Sequence, residues 1–382
     1  MKMHRRPLGI YIHIPFCARK CRYCDFLSFD DADEALHRRY AAQVVQEIVG
    51  RSRVFGNYFI VDSIFVGGGT PTLLPPRLLD ELLDALYARF RIAAGVETTV
   101  EANPGTVGQY DLLELRHAGV NRLSFGVQSF DEGKLRILGR IHSPATAVRA
   151  FSAARRARFS NINIDLIFGV PGETQTVWKR DLAMVLELSP EHISFYDLQV
   201  EEGTPLHGDI AEGRLVPMDD IEDRRLYHLA IETLTEAGYA HYEISNMARS
   251  GRLSRHNLKY WSMDDYLGIG LGAHSYIRGR RSANKEDLAA YLCATDVDAM
   301  TASVTVNRKS DDMSEYIFLG LRRTEGISLA AFRKRFGVDF DSLYAEETNG
   351  LIERRLLDRE GDMLRLTQLG LDLSNIVFRE FV

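Results

Sequence analysis

The stretch "IPFCARKCRYC" at residues 14–24 holds Cys17, Cys21 and Cys24, spaced Cys-x₃-Cys-x₂-Cys. Thiolates gathered in one short loop bind zinc or iron-sulfur clusters. Structural zinc takes four ligands, usually as two pairs separated by a longer loop. Here one loop offers three. The remaining cysteine, Cys293, sits in the helical context "DLAAYLCATD" and reads as a buried structural thiol. A [4Fe-4S] cubane held by three thiolates keeps one iron open to a small molecule and to electron transfer. A zinc site completed by His13 is the alternative.

Composition narrows the setting. The chain of 382 residues is 45% hydrophobic and 26% charged, with a net charge of -6, a globular profile unsuited to general nucleic-acid binding. No apolar run approaches the ~20 residues of a membrane span. The start, "MKMHRRPLGIYIHIPFC", runs straight into a strand pattern without the apolar core of a secretion signal. The expectation is a cytoplasmic protein, peripheral to the inner membrane at most. Four cysteines make no disulfide framework at this length.

The elements that must position the thiols repeat from Leu8 to about Tyr196. Strands are expected at "LGIYIHI", "DSIFVGGGTP" (62–71), "ETTVEANPG" (97–105), "RLSFGVQ" (122–128), "NINIDLIFG" (161–169) and "HISFYDL" (192–198), with amphipathic helices such as "RLLDELLDALYARF" (77–90) between them. Such alternation implies βαβ units and a parallel sheet. The unusual residues fall at strand ends: Cys17 after the first, Gly67–Gly69 after the second, Glu101, Gln128 and Asp165 on the next three. In (β/α) barrels the chemistry gathers at that rim. The fold class is therefore α/β, a partial (β/α)6 TIM-like barrel, whose closure periodicity leaves open.

Beyond Tyr196 the alternation loosens. The expected division is a barrel over 1–240, a connecting segment over 241–299 with the aromatic stretch "RHNLKYWSMDDYLGIGLGAHSY" (255–276), and a small winged-helix-like α+β domain over 300–382. That last segment carries 12 basic against 14 acidic residues, so a structural or docking wing is favoured over DNA binding. "GGGTPT" lacks the lysine of a phosphate-binding loop, and "GIGLG" (268–272) reads as a tight turn.

Taken together, "YIHIPFC", "CRYCDF", "GGGTPT", "EANPGT", "LSFGVQSF" and "NIDLIFGVPG" resemble the radical S-adenosylmethionine (SAM) superfamily over nearly the whole chain, in the branch containing oxygen-independent coproporphyrinogen III dehydrogenase. The resemblance implies that the amino and carboxylate groups of SAM chelate the open iron, with an electron donor the sequence does not identify. It assigns cofactor contacts to Tyr11, Tyr23, Gly68, Gly69, Thr70, Glu101, Gln128, Arg140 and Asp165, and the cluster to Cys17, Cys21 and Cys24.

The dehydrogenase pattern has a further cysteine two residues after the third ligand, where this chain has Phe26, and an N-terminal extension where ten residues precede Tyr11. Both departures, with "FYDLQVEEGTPL", "YEISNMA" and "HNLKYW", are similar to the HemW-like haem chaperones instead. That similarity implies haem as ligand, His256 as its candidate axial ligand, His274 as runner-up, and Tyr260 and Trp261 as aromatic walls. The expected function is a haem chaperone that carries a [4Fe-4S] cluster, SAM and haem and delivers haem to an apo-haemoprotein, membrane-associated or not. The alternative is the radical SAM dehydrogenase, and homodimerisation is left open.

Overall fold

The computed structural model describes residues 5–30 and 33–382. Six parallel strands pair in chain order: β1 (Arg6–Ile14), β2 (Phe59–Gly68), β3 (Ile92–Ala102), β4 (Arg122–Gln128), β5 (Ile162–Phe168) and β6 (His192–Asp197). The connections carry α1 (Glu34–Phe55), α2 (Pro76–Arg89), α3 (Gln109–His117), α4 (Glu132–Leu138), α5 (Pro144–Arg156) and α6 (Gln175–Leu188). Each crossover returns through a helix, as parallel pairing demands. β1 and β6 do not pair with each other, so the barrel is partial and open.

The strands read with period two, but with an unusual assignment of faces. Ile10, Ile12, Ile14, Ile64, Val66, Val100, Leu123, Phe125, Ile164 and Phe195 are buried in one core with the α2 leucines. The alternate residues face the concave side: Tyr11 and His13, Ser63 and Phe65, Glu97, Thr99 and Glu101, Arg122 and Ser124, Asn163 and Asp165, His192, Ser194 and Tyr196. A TIM barrel fills this interior with branched aliphatics. Polar groups cannot be buried there without partners, and many of these find them in one another: Ser124 and Asn163 with Asp165, His192 with Asn163, and Ser63 with His256.

After β6 come α7 (Pro205–Ala211), α8 (Asp220–Glu236), the antiparallel β7 (Ala240–Glu243) and β8 (Asn246–Ala248), and α9 (Arg255–Trp261). The connecting segment then supplies more sheet. β9 (Tyr266–Ile269) lies parallel to β1, and β10 (His274–Ile277), β11 (Arg280–Asn284) and, after α10 (Leu288–Leu292) and α11 (Val297–Met300), β12 (Thr301–Val306) continue it antiparallel. These strands are four to six residues long, too short to show a period. Cys293 caps the end of α10 and is exposed, not buried as its helical context suggested. The helix ends at that residue, which turns the thiol outward.

The C-terminal body has its own core of Ile317, Leu321, Phe332, Phe340, Leu351, Leu364 and Val377. It comprises α12 (Lys309–Gly320), β13 (Ile327–Ser328), α13 (Leu329–Phe336), α14 (Asp341–Glu353), the hairpin β14 (Leu357–Glu360) and β15 (Met363–Leu366), and two short helices, α15 (Gln368–Asp372) and α16 (Ser374–Arg379). Backbone bonds from Ile244 N–H to the Arg322 carbonyl (3.0 Å) and from Thr324 N–H to the Tyr242 carbonyl (3.1 Å) join it to β7.

One buried charge cluster pins the rim. The Lys134 ammonium, on α4, sits 2.5 Å from Glu173 and 2.9 Å from Asp181 of α6. Asp181 also accepts from Ser129 Oγ (2.7 Å) and the Phe130 N–H (2.6 Å). Lys134→Met leaves two carboxylates buried without their cation, and should cost about 3–5 kcal/mol in urea unfolding; a loss under about 1 kcal/mol would show the cluster to be dispensable.

Candidate functional site

The three-cysteine loop is held at the mouth by its own backbone. The Cys17 N–H donates to the Phe29 carbonyl (2.8 Å), the Phe29 N–H to the Pro15 carbonyl (2.7 Å), and the Thr70 N–H to the Phe16 carbonyl (2.7 Å). The end of β2 therefore lies directly against the loop. A Cβ on Gly69 would stand 2.6 Å from the Phe16 carbonyl oxygen and 3.0 Å from the Cys17 sulfur. One on Gly68, at φ +116, would stand 2.6 Å from the His13 ring. The glycines are thus required first by the chain's own loop packing.

Donors converge on the sulfurs. Arg140 Nη1 lies 3.2 Å from Cys21 Sγ, while Nη2 donates to Asn103 Oδ1 and the Gly126 carbonyl, both at 2.5 Å. Thr70 Oγ1 lies 3.7 Å from Cys17 Sγ and accepts from Asn103 Nδ2 (2.7 Å). Hydrogen bonds to coordinating sulfur are the protein's usual means of tuning a cluster. Burial pushes the Cys17 and Cys24 thiols up, a cost that a bound cationic iron would reverse. His13 bonds Tyr11 Oη through Nδ1 and the Leu27 carbonyl through Nε2, each at 3.0 Å. Among the described residues, no three His, Cys, Asp or Glu side chains gather closely enough to hold one ion. A cubane spreads three thiolates over three irons, whereas zinc needs them to converge, so the donor set fits a cluster better than a Cys₃His zinc site.

Behind the loop lie the two acids. Glu101 accepts from the Gly68 N–H (3.1 Å), and its carboxyl is pushed up to about 8, first by burial and then by Asp165. Asp165 accepts from Ser124 Oγ (3.1 Å) and Asn163 Nδ2 (2.8 Å). Burial raises its carboxyl too, with Ser194, Asn163 and Ser124 opposing. Gln128 takes φ +66 at a register shift between β4 and β5, a left-handed bulge that re-aims a strand end. Tyr23 belongs to the same mouth: burial raises its hydroxyl, Arg140 lowers it, and Cys21, Cys24 and Asp165 raise it further.

His256 is placed elsewhere. The helix α9 packs beside β1, β2 and β3, with the Arg255 N–H donating to Glu97 Oε1 (2.9 Å) and Lys259 Nζ 2.8 Å from Asp62. The His256 ring is 1% exposed, with Nδ1 on Ser63 Oγ (3.0 Å) and Nε2 on Tyr260 Oη (2.9 Å). Burial first, then Lys259 and Arg122, pushes it down to about 3. It is a neutral imidazole on the barrel floor with both nitrogens engaged, away from the cysteine mouth. His274, on β10, is exposed. Asn103, Phe65, Arg122 and Tyr196 also line this interior and were not singled out from the sequence; their signal is the alternation within "ETTVEAN", "DSIFVGG", "RLSFGVQ" and "HISFYD".

Comparison with known proteins decides the family. A family model described as the radical SAM superfamily matches residues 11–184, and one described as the HemN C-terminal domain matches residues 308–373. The chain is 33% identical to the heme chaperone HemW of Lactococcus lactis over 383 residues, covering 100% of this chain and 98% of that protein. The chain belongs to the HemW family of the radical SAM superfamily. The heme chaperone HemW of Escherichia coli is 42% identical over 272 residues, covering 71% of this chain and 70% of that one. The solved structure of coproporphyrinogen III oxidase (HemN) from Escherichia coli, a radical SAM enzyme, superposes with a TM-score of 0.87 at 25% identity, covering 99% of this chain and 90% of that one. HemW-family and HemN chains thus share this architecture: a large parallel sheet, a partial barrel and a small C-terminal domain.

Substitution at Gly69 tests the mouth. Gly69→Val should displace the cysteine loop and cut the iron retained after anaerobic reconstitution severalfold. Gly208→Ala, on α7, where a Cβ meets nothing within 4 Å, should retain the wild-type content. Full iron content in Gly69→Val would remove the glycine turn from the site.

Proposed function

We propose that this protein is a haem chaperone: it binds a [4Fe-4S] cluster, SAM and haem, and passes haem to an apo-haemoprotein in the cytoplasm. The observation that carries this reading is the near-full-length similarity to proteins named heme chaperone HemW. Cys17, Cys21 and Cys24 would hold the cluster, which when bound supplies an iron with one open corner. Arg140 and Thr70 orient and neutralise the sulfurs, and Glu101 and Asp165 stand where they can accept hydrogen bonds from ribose hydroxyls. No helix among the described residues is long and apolar enough to cross a membrane. The electron source and acceptor would be separate proteins.

The competing activity is oxidative decarboxylation of coproporphyrinogen III, favoured by the HemN superposition. Against it stands Phe26, 68% exposed beside the cluster loop, where the dehydrogenase pattern calls for a cysteine. A phenyl ring offers apolar surface to a porphyrin face but no thiol chemistry. For His256 to ligate haem iron, one of its two ring nitrogens must give up its hydroxyl partner.

The reconstituted protein with SAM and reductant should bind haem at micromolar concentration or tighter and release no carbon dioxide from coproporphyrinogen III. Carbon dioxide release, or no haem uptake, would overturn the chaperone reading. Tyr260→Phe, which frees His256 Nε2, should tighten haem binding if His256 is the ligand; unchanged affinity and spectrum would place the ligand elsewhere.

A further inference from the structure

Asn103 carries no charge, yet its side chain touches the two residues, Thr70 and Arg140, that reach the Cys17 and Cys21 sulfurs. It follows β3 in "EANPGT", where the Thr106 N–H donates to the Asn103 carbonyl (3.1 Å) across Pro104 and Gly105. Gly105 stands at φ +94, as the third residue of a type II turn requires, with the proline such turns favour ahead of it. Thr106 Oγ1 also donates to that carbonyl (2.7 Å) and meets Thr72 Oγ1 (2.7 Å), which ties the turn to the residues after β2. The Asn103 amide is thus aimed by its backbone.

The polarity of the amide follows from its neighbours. A guanidinium only donates, so the atom facing Arg140 Nη2 (2.5 Å) must be Oδ1. Nδ2 then faces Thr70 and donates to its Oγ1 (2.7 Å). A hydroxyl has one proton to give. With the amide N–H arriving as donor, that proton is left for Cys17 Sγ, 3.7 Å away. On the other side, Oδ1 and the Gly126 carbonyl (2.5 Å) together hold Nη2, which leaves Nη1 on Cys21 Sγ at 3.2 Å. One uncharged amide fixes a donor on each of two thiols. β4 makes room for it, since a Cβ on Gly126 would stand 2.7 Å from Asn103 Oδ1.

We propose that Asn103 is a positioning residue for the cluster: its amide directs the Thr70 hydroxyl onto Cys17 and the Arg140 guanidinium onto Cys21, and so sets the reduction potential of the [4Fe-4S] centre. The proposal rests on the cluster reading above. Hydrogen bonds to the sulfurs stabilise the reduced cluster, which carries one more negative charge, and raise its potential. An aspartate of the same shape accepts from Arg140 equally well but has no proton for Thr70. The hydroxyl then turns to the carboxylate and leaves Cys17 without that donor.

The test is the midpoint potential of the reconstituted cluster without SAM, followed by electron paramagnetic resonance of the reduced state at matched iron content. Thr70→Val, which deletes the hydroxyl, should disfavour reduction about tenfold, ~59 mV for one electron. Thr70→Ser, which keeps the hydroxyl, should keep the wild-type potential. Asn103→Asp should lower the potential at least as far as Thr70→Val, since its added charge acts in the same direction. The double variant Asn103→Asp/Thr70→Val decides: it should match Asn103→Asp alone, because the hydroxyl it removes no longer reaches the sulfur. Shifts that simply add, or a wild-type potential in cluster-loaded Asn103→Asp, would overturn the proposal. Should Asn103→Asp hold no iron, Asn103→Ala takes its place in the cycle. With no amide to direct the hydroxyl, Thr70→Val should then shift the potential less than it does in wild type, and an equal shift overturns the proposal. Wild type that assembles no cluster would instead sink the cluster reading itself.

Discussion

The structure depends on one constraint: six parallel strands bury aliphatic residues on the helix-covered face and turn polar ones inward. An ordinary barrel gains stability from both faces. This one gives up the inner face, where charged and hydroxyl groups need partners or water. The outer core must therefore carry the fold, and it is correspondingly continuous, running from α1 round to α8. Additional sheet on either side, β7–β8 beyond β6 and β9–β12 beyond β1, protects edges that a closed barrel would not have.

The polar interior is graded along its length. At the mouth, Arg140 joins the cysteine loop to the ends of β3 and β4 through one guanidinium. Below it, Glu101 and Asp165 are held in a region where burial resists ionisation. At the floor, His192 and His256 are neutral and bonded at both nitrogens. Positive charge enters this gradient at two depths, Arg140 above the acids and Arg122 below them. Such an arrangement fits the zwitterionic, nucleoside-bearing cofactor proposed above.

Much of this was legible in the sequence because the signals were local. Three cysteines in one loop, glycines after β2 and β-branched alternation each reflect a constraint within a few residues. β4 falls on 122–128, where the sequence pattern put it. What was not legible depended on distant partners. "HNLKYW" carries no mark that Ser63 would occupy one nitrogen of His256, nor that α9 would pack beside three strands. Cys293 looked like a core thiol because its helix is apolar, and the helix end that exposes it is set by the turn into α11. β9 to β12 exist because β1 offers an edge, which no window of four residues can reveal.

The central claim is that three thiolates leave one iron of the cluster open for SAM above the two inward acids. Electron-nuclear double resonance on the reduced, reconstituted protein tests it most directly, using SAM labelled with ¹⁷O at the carboxylate and ¹⁵N at the amino group. The account predicts hyperfine couplings from both labels, strong enough for direct bonds to iron, and their loss in Cys21→Ser. A well-formed cluster that shows neither coupling in the presence of saturating SAM would contradict it.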